Sequence, residues 1–344
     1  MGLSHNKNGN GARKDMMNKK AISLISGGLD SALSTKLILD QGIEVVGLHF
    51  TSPFSSRRER QEGLQAVRTA NELGIRLILK EKGPEYIDVV RNPKHGYGKN
   101  MNPCIDCRIF MLKKTGEIMA EEGAGFVVTG EVLGQRPMSQ RRQTIELIER
   151  ESGLESLIIR PLSAKHFEPT RPEIEGIVDR SKLSDIAGRG RSVQYDLVAH
   201  YNLKEFGCPG GGCLLTDAAF SGRLRDFFAY EDDFTMLDVE LLNTGRHFRL
   251  RPDTKIIIGR NKQENERLRS LWTVPYTLLY PVGFQGPLGI LKGRADTEII
   301  AMAANIIAYY GKNRSSVITI ESNDGSLSRH EVVRSDEDPE RYKV

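Results

Sequence analysis

The chain has 344 residues, 39% of them hydrophobic and 27% charged, with a formal net charge of +4. Such a length holds two or three domains, the balance is that of an ordinary globular protein, and no apolar run reaches the roughly 18 residues of a membrane span. Five cations (Lys7, Arg13, Lys14, Lys19, Lys20) against Asp15 put the whole +4 in the first twenty residues. The body is neutral, so nucleic-acid binding must be argued from local patches.

In chain order, residues 1–19 are rich in Asn, Gly and Lys without an apolar pattern and read as a disordered basic tail. They lack the apolar core of a secretory leader, which points to the cytoplasm. Ala21 to Ile25 reads as a short buried strand, and Ala32 to Leu39 has helical periodicity. Between them lies Ser26-Gly27-Gly28-Leu29-Asp30-Ser31. A strand, a Gly-Gly turn and a helix present free backbone N–H groups to an anion, and the helix dipole adds positive potential. Ser26 and Ser31 offer hydroxyls to phosphate oxygens, and Asp30 is placed to hold Mg²⁺. No lysine follows at the spacing of the G-x-x-x-x-G-K-[ST] loop.

The hexapeptide S-G-G-x-D-S resembles the signature of the PP-loop ATP pyrophosphatases. That resemblance implies cleavage of ATP to AMP and pyrophosphate, with adenylation of an acceptor oxygen. It assigns ATP to Ser26, Gly27, Gly28, Asp30, Ser31 and, further on, Gly130.

Strands follow at about 44–50, 75–79, 126–129 and 157–160, separated by helical stretches such as 57–73. This alternation predicts an α/β fold, a doubly wound parallel sheet, with ligands beyond the carboxyl ends of the strands. His49, Thr129 and Arg160 fall at those ends, where His49 by itself reads as a packed residue. The turn-rich loop from Pro93 ends in Asn102 and Pro103, a helix start with Asn102 as N-cap. Cys104 and Cys107 then share one helix face, and a helix N-terminus favours the thiolate.

Asn102-Pro103-Cys104-Ile105-Asp106-Cys107 and Val128-Thr129-Gly130-Glu131 look like the Asn-Pro-x-x-x-Cys and Thr-Gly motifs of the tRNA 2-thiouridylases. By that resemblance Cys107 is the first catalytic cysteine. Cys104 stands where the cluster-independent members carry Asp. In the iron–sulfur relatives a C-x-x-C at this place and a third, distant cysteine hold a 4Fe-4S cluster, with one iron open to sulfide. The third cysteine would be Cys208 or Cys213, in the glycine-rich loop Gly207 to Asp217. Three readings of the four thiols stand side by side: the cluster, a zinc site as its runner-up, and a persulfide with a resolving partner formed by Cys107 and Cys208 or Cys213.

Gly188-Arg189-Gly190-Arg191 is shaped for phosphate contact, and with Arg136, Arg141 and Arg142 would line an RNA track. From about Asp233 short strands and turns take over. Residues 246–262 hold Arg246, Arg249, Arg251, Lys255, Arg260 and Lys262 against Asp253, a local +5. This stretch resembles the RNA-binding domain of NFACT-type proteins, and alternation sets Arg249 and Arg251 on one strand face. The division expected is a tail at 1–19, a PP-loop domain at 20–230, a smaller α+β RNA-binding domain at 233–334, and a frayed acidic tail at 335–344.

Together these imply ATP-dependent thiolation of a tRNA uridine, with RNA contacts from Arg189, Arg191, Arg246, Arg249 and Arg251. A sulfur donor, either a cysteine desulfurase system or sulfide, would serve it, and a homodimer is compatible. Two rivals are a PP-loop ligase or sulfurtransferase acting on a small molecule, and a non-catalytic RNA-binding protein that keeps a nucleotide fold.

Overall fold

The computed structural model describes residues 17–54, 57–207 and 213–344. The first elements are β1 (Lys20–Leu24), α1 (Leu29–Leu39), β2 (Glu44–Thr51), α2 (Arg57–Glu72) and β3 (Leu77–Glu81). Then come α3 (Glu85–Arg91), α4 (Cys104–Glu121), β4 (Phe126–Val128), α5 (Arg142–Ser152), β5 (Ile158–Ile159), α6 (Arg171–Ile174) and α7 (Ser192–Tyr201).

The five strands form one sheet in the order β3-β2-β1-β4-β5, and β1 pairs in parallel with both β2 and β4. The chain therefore reverses its direction of travel across the sheet between β1 and β4. In a doubly wound sheet a crevice opens at that switch point. Ala21, Val45, Phe126, Val128 and Ile159 pack one core with Ile38 and Ile43, while Leu29, Ala32, Leu33 and Leu37 of α1 pack a second with Val132 and Leu162. Buried on both sides, α1 fixes where its own N-terminus points.

The remaining elements are α8 (Ala218–Tyr230), α9 (Met236–Leu241), β6 (Arg246–Arg251), β7 (Thr254–Ile258), α10 (Lys262–Leu271), β8 (Thr277–Pro281), β9 (Gly289–Lys292), α11 (Thr297–Tyr310), β10 (Val317–Asn323) and β11 (Leu327–Val333). Six of these are strands, in a sheet of order β11-β10-β8-β9-β7-β6 whose printed pairings are all antiparallel. The period of two is plain in β7. Ile256 and Ile258 join Phe248, Leu291 and the apolar face of α11, whereas Ile257 joins Leu241, Leu268 and Ile290 on the other side. Each such isoleucine contributes about 1.5–3 kcal/mol by leaving water.

Packing divides the chain less simply than its linear order. One compact unit takes in the chain through Phe50, Glu62–Lys80 and the residues from Arg108 to Gly207. The other takes Thr51–Gln61, Glu81–Cys107 and the described chain from Cys213 onward. The stretch before residue 230 thus belongs partly with the antiparallel sheet.

Some expectations shift. The third strand begins two residues later than read, at Leu77, and α4 starts at Cys104. Pro103 is then the N-cap in place of Asn102, since its carbonyl accepts the first helical bond, from Cys107 N at 2.8 Å. The acidic C-terminus is docked instead of frayed. Val344 N–H donates to the His247 carbonyl at 3.0 Å, Lys343 bridges Phe248, and Pro339 is buried. Residues 1–16 of the basic tail lie outside the described residues.

Candidate active site

Gly27 takes φ +79°, a conformation that favours glycine, and turns the chain from β1 into α1. Gly28 is the N-cap and brings no side chain to the first-turn N–H groups. The serines organise the turn. Ser31 Oγ donates to the Gly28 carbonyl at 2.8 Å and accepts from Ser26 N at 3.2 Å, while Gly28 N donates to Ser26 Oγ at 3.2 Å. The result is a glycine turn at a helix start, the kind of arrangement that binds phosphate.

The neighbouring strand, β4, is followed by Thr129-Gly130-Glu131. A Cβ on Gly130 would lie 2.6 Å from Ser31 N and 2.7 Å from the Asp30 carbonyl carbon, so only glycine fits against the turn. Glu131 is buried beneath, 2.9 Å from Arg108 Nε and 3.0 Å from Arg160 Nε. Burial pushes its carboxyl upward, but the two guanidiniums outweigh burial and hold it below the usual carboxylate range. Arg160 in turn reaches Glu149 at 2.5 Å. This ion-pair network clamps the carboxyl ends of β4 and β5. On the other side, Gly207 N–H donates to the Gly27 carbonyl at 2.7 Å. His49 Nδ1 lies 2.8 Å from the Ile25 carbonyl, in keeping with a packed residue.

Asp30 is not solitary. Gln135 Nε2 donates to its Oδ2 at 2.7 Å, and Arg191 Nη2 stands 3.3 Å from the same oxygen. Arg191, read from sequence as an RNA contact, therefore turns inward. Its loop-mate Arg189 is exposed. Gln135 went unnoticed in the sequence because no motif surrounds it, and only the fold brings it to Asp30.

In the second unit, the Tyr86 hydroxyl bonds to Cys107, with Cys213 and Cys104 close enough to act on it. Burial first, then these three sulfurs, push the phenol well above its ordinary range. Lys82 Nζ donates to Cys107 Sγ at 3.2 Å and sits 4.4 Å over the Tyr86 ring. Bonds from Met101 N to the Leu215 carbonyl (3.0 Å) and from Asn100 Nδ2 to the Thr216 carbonyl (2.7 Å) tie the loop before Cys104 to the segment after Cys213. Asp106 holds both the backbone N–H and Nδ1 of His95 at 3.0 Å. Three of the four cysteines thus act electrostatically on one phenol. Cys208 lies outside the described residues, and among those described no three His, Cys, Asp or Glu side chains form a group that could hold a metal.

The family described as Thiamine biosynthesis protein (ThiI) matches residues 16–168, and the NFACT protein RNA binding domain matches residues 245–341. Residues 16–168 are thus similar to the ThiI family, and residues 245–341 to the NFACT RNA-binding domain. A probable tRNA sulfurtransferase of Geobacillus kaustophilus is 32% identical over 144 residues, covering 42% of this chain and 34% of that protein. The tRNA-specific 2-thiouridylase MnmA of Petrotoga mobilis is 33% identical over 138 residues, covering 34% and 36%. A solved 4-thiouridine synthetase–RNA complex with bound ATP aligns at TM-score 0.34 and 23% identity, covering 52% of this chain and 50% of that one. The chain spans about a third of the length of the curated relatives it matches.

In the stretch 246–262, counted at +5 in the sequence, most of the cations are paired with acids from outside it. Arg249 Nη2 and Lys255 Nζ both close on Asp226 Oδ2, at 2.8 and 2.6 Å, and Arg249 is only 11% exposed. Arg251 pairs with Asp296 and Glu298, Arg260 with Glu264, and Lys262 with Glu266. The compensating acids come mostly from other elements, so a windowed charge count cannot see them. Arg246 lies 4.5 Å over the Tyr310 ring, a cation and an aromatic surface side by side.

Proposed function

We propose that the chain is an ATP-dependent tRNA sulfurtransferase. The observation that carries the reading is the S-G-G-x-D-S turn at the switch point of the sheet, closed by a glycine at position 130 that leaves room for nothing larger. Such a loop binds phosphates, and ATP with Mg²⁺ on Asp30 is the ligand its chemistry suits. The uridine carbonyl oxygen attacks the α-phosphorus, the bond to the bridging oxygen breaks, and pyrophosphate leaves. Backbone amides and the helix N-terminus neutralise the charge that develops. A sulfur nucleophile then attacks the ring carbon and expels AMP, so that oxygen departs with the phosphate and sulfur remains on the base.

Cys107 is the sulfur-handling residue in this reading, supported by the Lys82 ammonium and the Tyr86 hydroxyl on its sulfur. Thiolates are the soft donors that a 4Fe-4S cluster takes, and Cys104, Cys107 and Cys208 or Cys213 are the residues that would hold it. When bound, it would supply an iron that carries sulfide. The described thiols do not converge as a metal group, so the residues named here act without reference to it. The sulfur donor is a desulfurase system or sulfide, the RNA is tRNA, and Arg189, Arg246 and the NFACT-type sheet make its contacts.

Two measurements test the reading together: pyrophosphate release from ATP with and without unmodified tRNA, and mass spectrometry of the nucleosides recovered. RNA-stimulated release with a new thionucleoside is the expected result. Release without any thionucleoside, stimulated by a small molecule instead, would replace tRNA by that acceptor. Iron and acid-labile sulfide in anaerobically purified protein decide the cluster.

A further inference from the structure

Asp30, Gln135 and Arg191 form a latch over the phosphate loop. Gln135 and Arg191 both engage Asp30 Oδ2, while Asp30 Oδ1, Gln135 Oε1 and Arg191 Nη1 are shut from solvent with no hydrogen-bond partner among the described residues. Buried polar atoms are paired almost everywhere in proteins, so three orphans at one place call for an explanation. Their chemistry is specific. Two are oxygen acceptors, which want a cation, and one is a guanidinium N–H, which wants an anion. A magnesium-bound pyrophosphate group offers both at once.

The surrounding loops can deliver such an exchange. Gly188 N–H donates to the Leu133 carbonyl at 2.7 Å, which lashes the loop before Arg191 to the loop carrying Gln135. Gly134 and Gly188 both take positive φ, at +75° and +83°, so each loop turns on a glycine. Arg191 caps α7 from a non-helical conformation, its carbonyl accepting from Tyr195 N at 3.0 Å.

The geometry points to Arg191 as a pyrophosphate-binding residue that holds Asp30 when no nucleotide is bound. It moves to the β- and γ-phosphates when Asp30 and Gln135 take Mg²⁺. This rests on the nucleotide site proposed above. Arg191 then touches the leaving group, which gives it a catalytic role.

Isothermal titration of the full chain with Mg²⁺-pyrophosphate and, separately, with AMP tests it. Arg191→Ala is expected to weaken pyrophosphate binding about tenfold or more, the scale of one charged hydrogen bond, and to leave AMP within twofold. Arg191→Lys should recover part of the loss. Gln135→Ala should raise the Mg²⁺ concentration needed for half-saturation at least threefold. Should Arg191→Ala fail to fold, the Lys and Gln135 variants carry the test. Unchanged pyrophosphate affinity, or equal losses for AMP and pyrophosphate, overturns the assignment while leaving the nucleotide site standing. A wild-type protein that binds ATP, AMP and pyrophosphate not at all removes both.

Discussion

Gly130 lies so close to Ser31 that a methyl group on it would stand 2.6 Å from the Ser31 backbone nitrogen. Two strands that are neighbours in space, and about a hundred residues apart in sequence, thereby bring their carboxyl ends together. Gly130→Ala forces α1 or the Thr129 to Glu131 segment to move, at a cost of about 1–3 kcal/mol. Nucleotide binding should fall more steeply than melting temperature, because the displaced amides are those that meet phosphate. Calorimetric titration with ATP beside a thermal melt checks this; unchanged affinity would place the phosphates elsewhere.

Cys107→Ser keeps the size of the side chain and removes the sulfur that Lys82 and Tyr86 contact. ATP binding should persist and thionucleoside formation should drop below detection. Thiolation retained in this variant would move the sulfur chemistry to Cys104, Cys208 or Cys213.

Arg249 and Arg246 should separate stability from RNA affinity. Arg249→Ala leaves Asp226 with Lys255 alone and should destabilise the sheet by about 1–3 kcal/mol, with denaturant melts as the readout. Arg246→Ala should instead weaken tRNA binding and reduce its salt slope by about one counterion. A reversed pattern would mean that the enclosed arginine is the RNA ligand.

His247 gives the molecule an acid-side weakness. Burial first, then Lys255 and Arg223, hold its imidazole well below the ordinary histidine range, and Nε2 donates to the Thr244 carbonyl at 3.0 Å. Above about pH 6.5 the ring is neutral in folded and unfolded chains alike. Below that the unfolded chain takes up a proton and the folded one does not, so stability falls by up to ~1.4 kcal/mol per pH unit. Urea midpoints between pH 5 and 7 should show this slope, and His247→Gln should flatten it. An unchanged slope in the variant would assign the effect to other groups.

The hexapeptide from Ser26 to Ser31, the five parallel strands, the helix carrying Cys104 and Cys107 and the change to a second sheet were all legible in the sequence. Each is written in neighbours: turn glycines beside apolar runs, and a period of two or of 3.6. Tertiary structure alone decided the rest. Gln135 and Arg191 reach Asp30, Tyr86 meets Cys107, and Asp226 cancels Arg249 and Lys255 because pairing and helix packing bring distant segments together. A charge or a thiol shows its type in the sequence, but its partner is chosen by which buried surfaces can close on one another. For that reason the glycine turn from Ser26 to Ser31 could be read directly, and the groups that close on it could not.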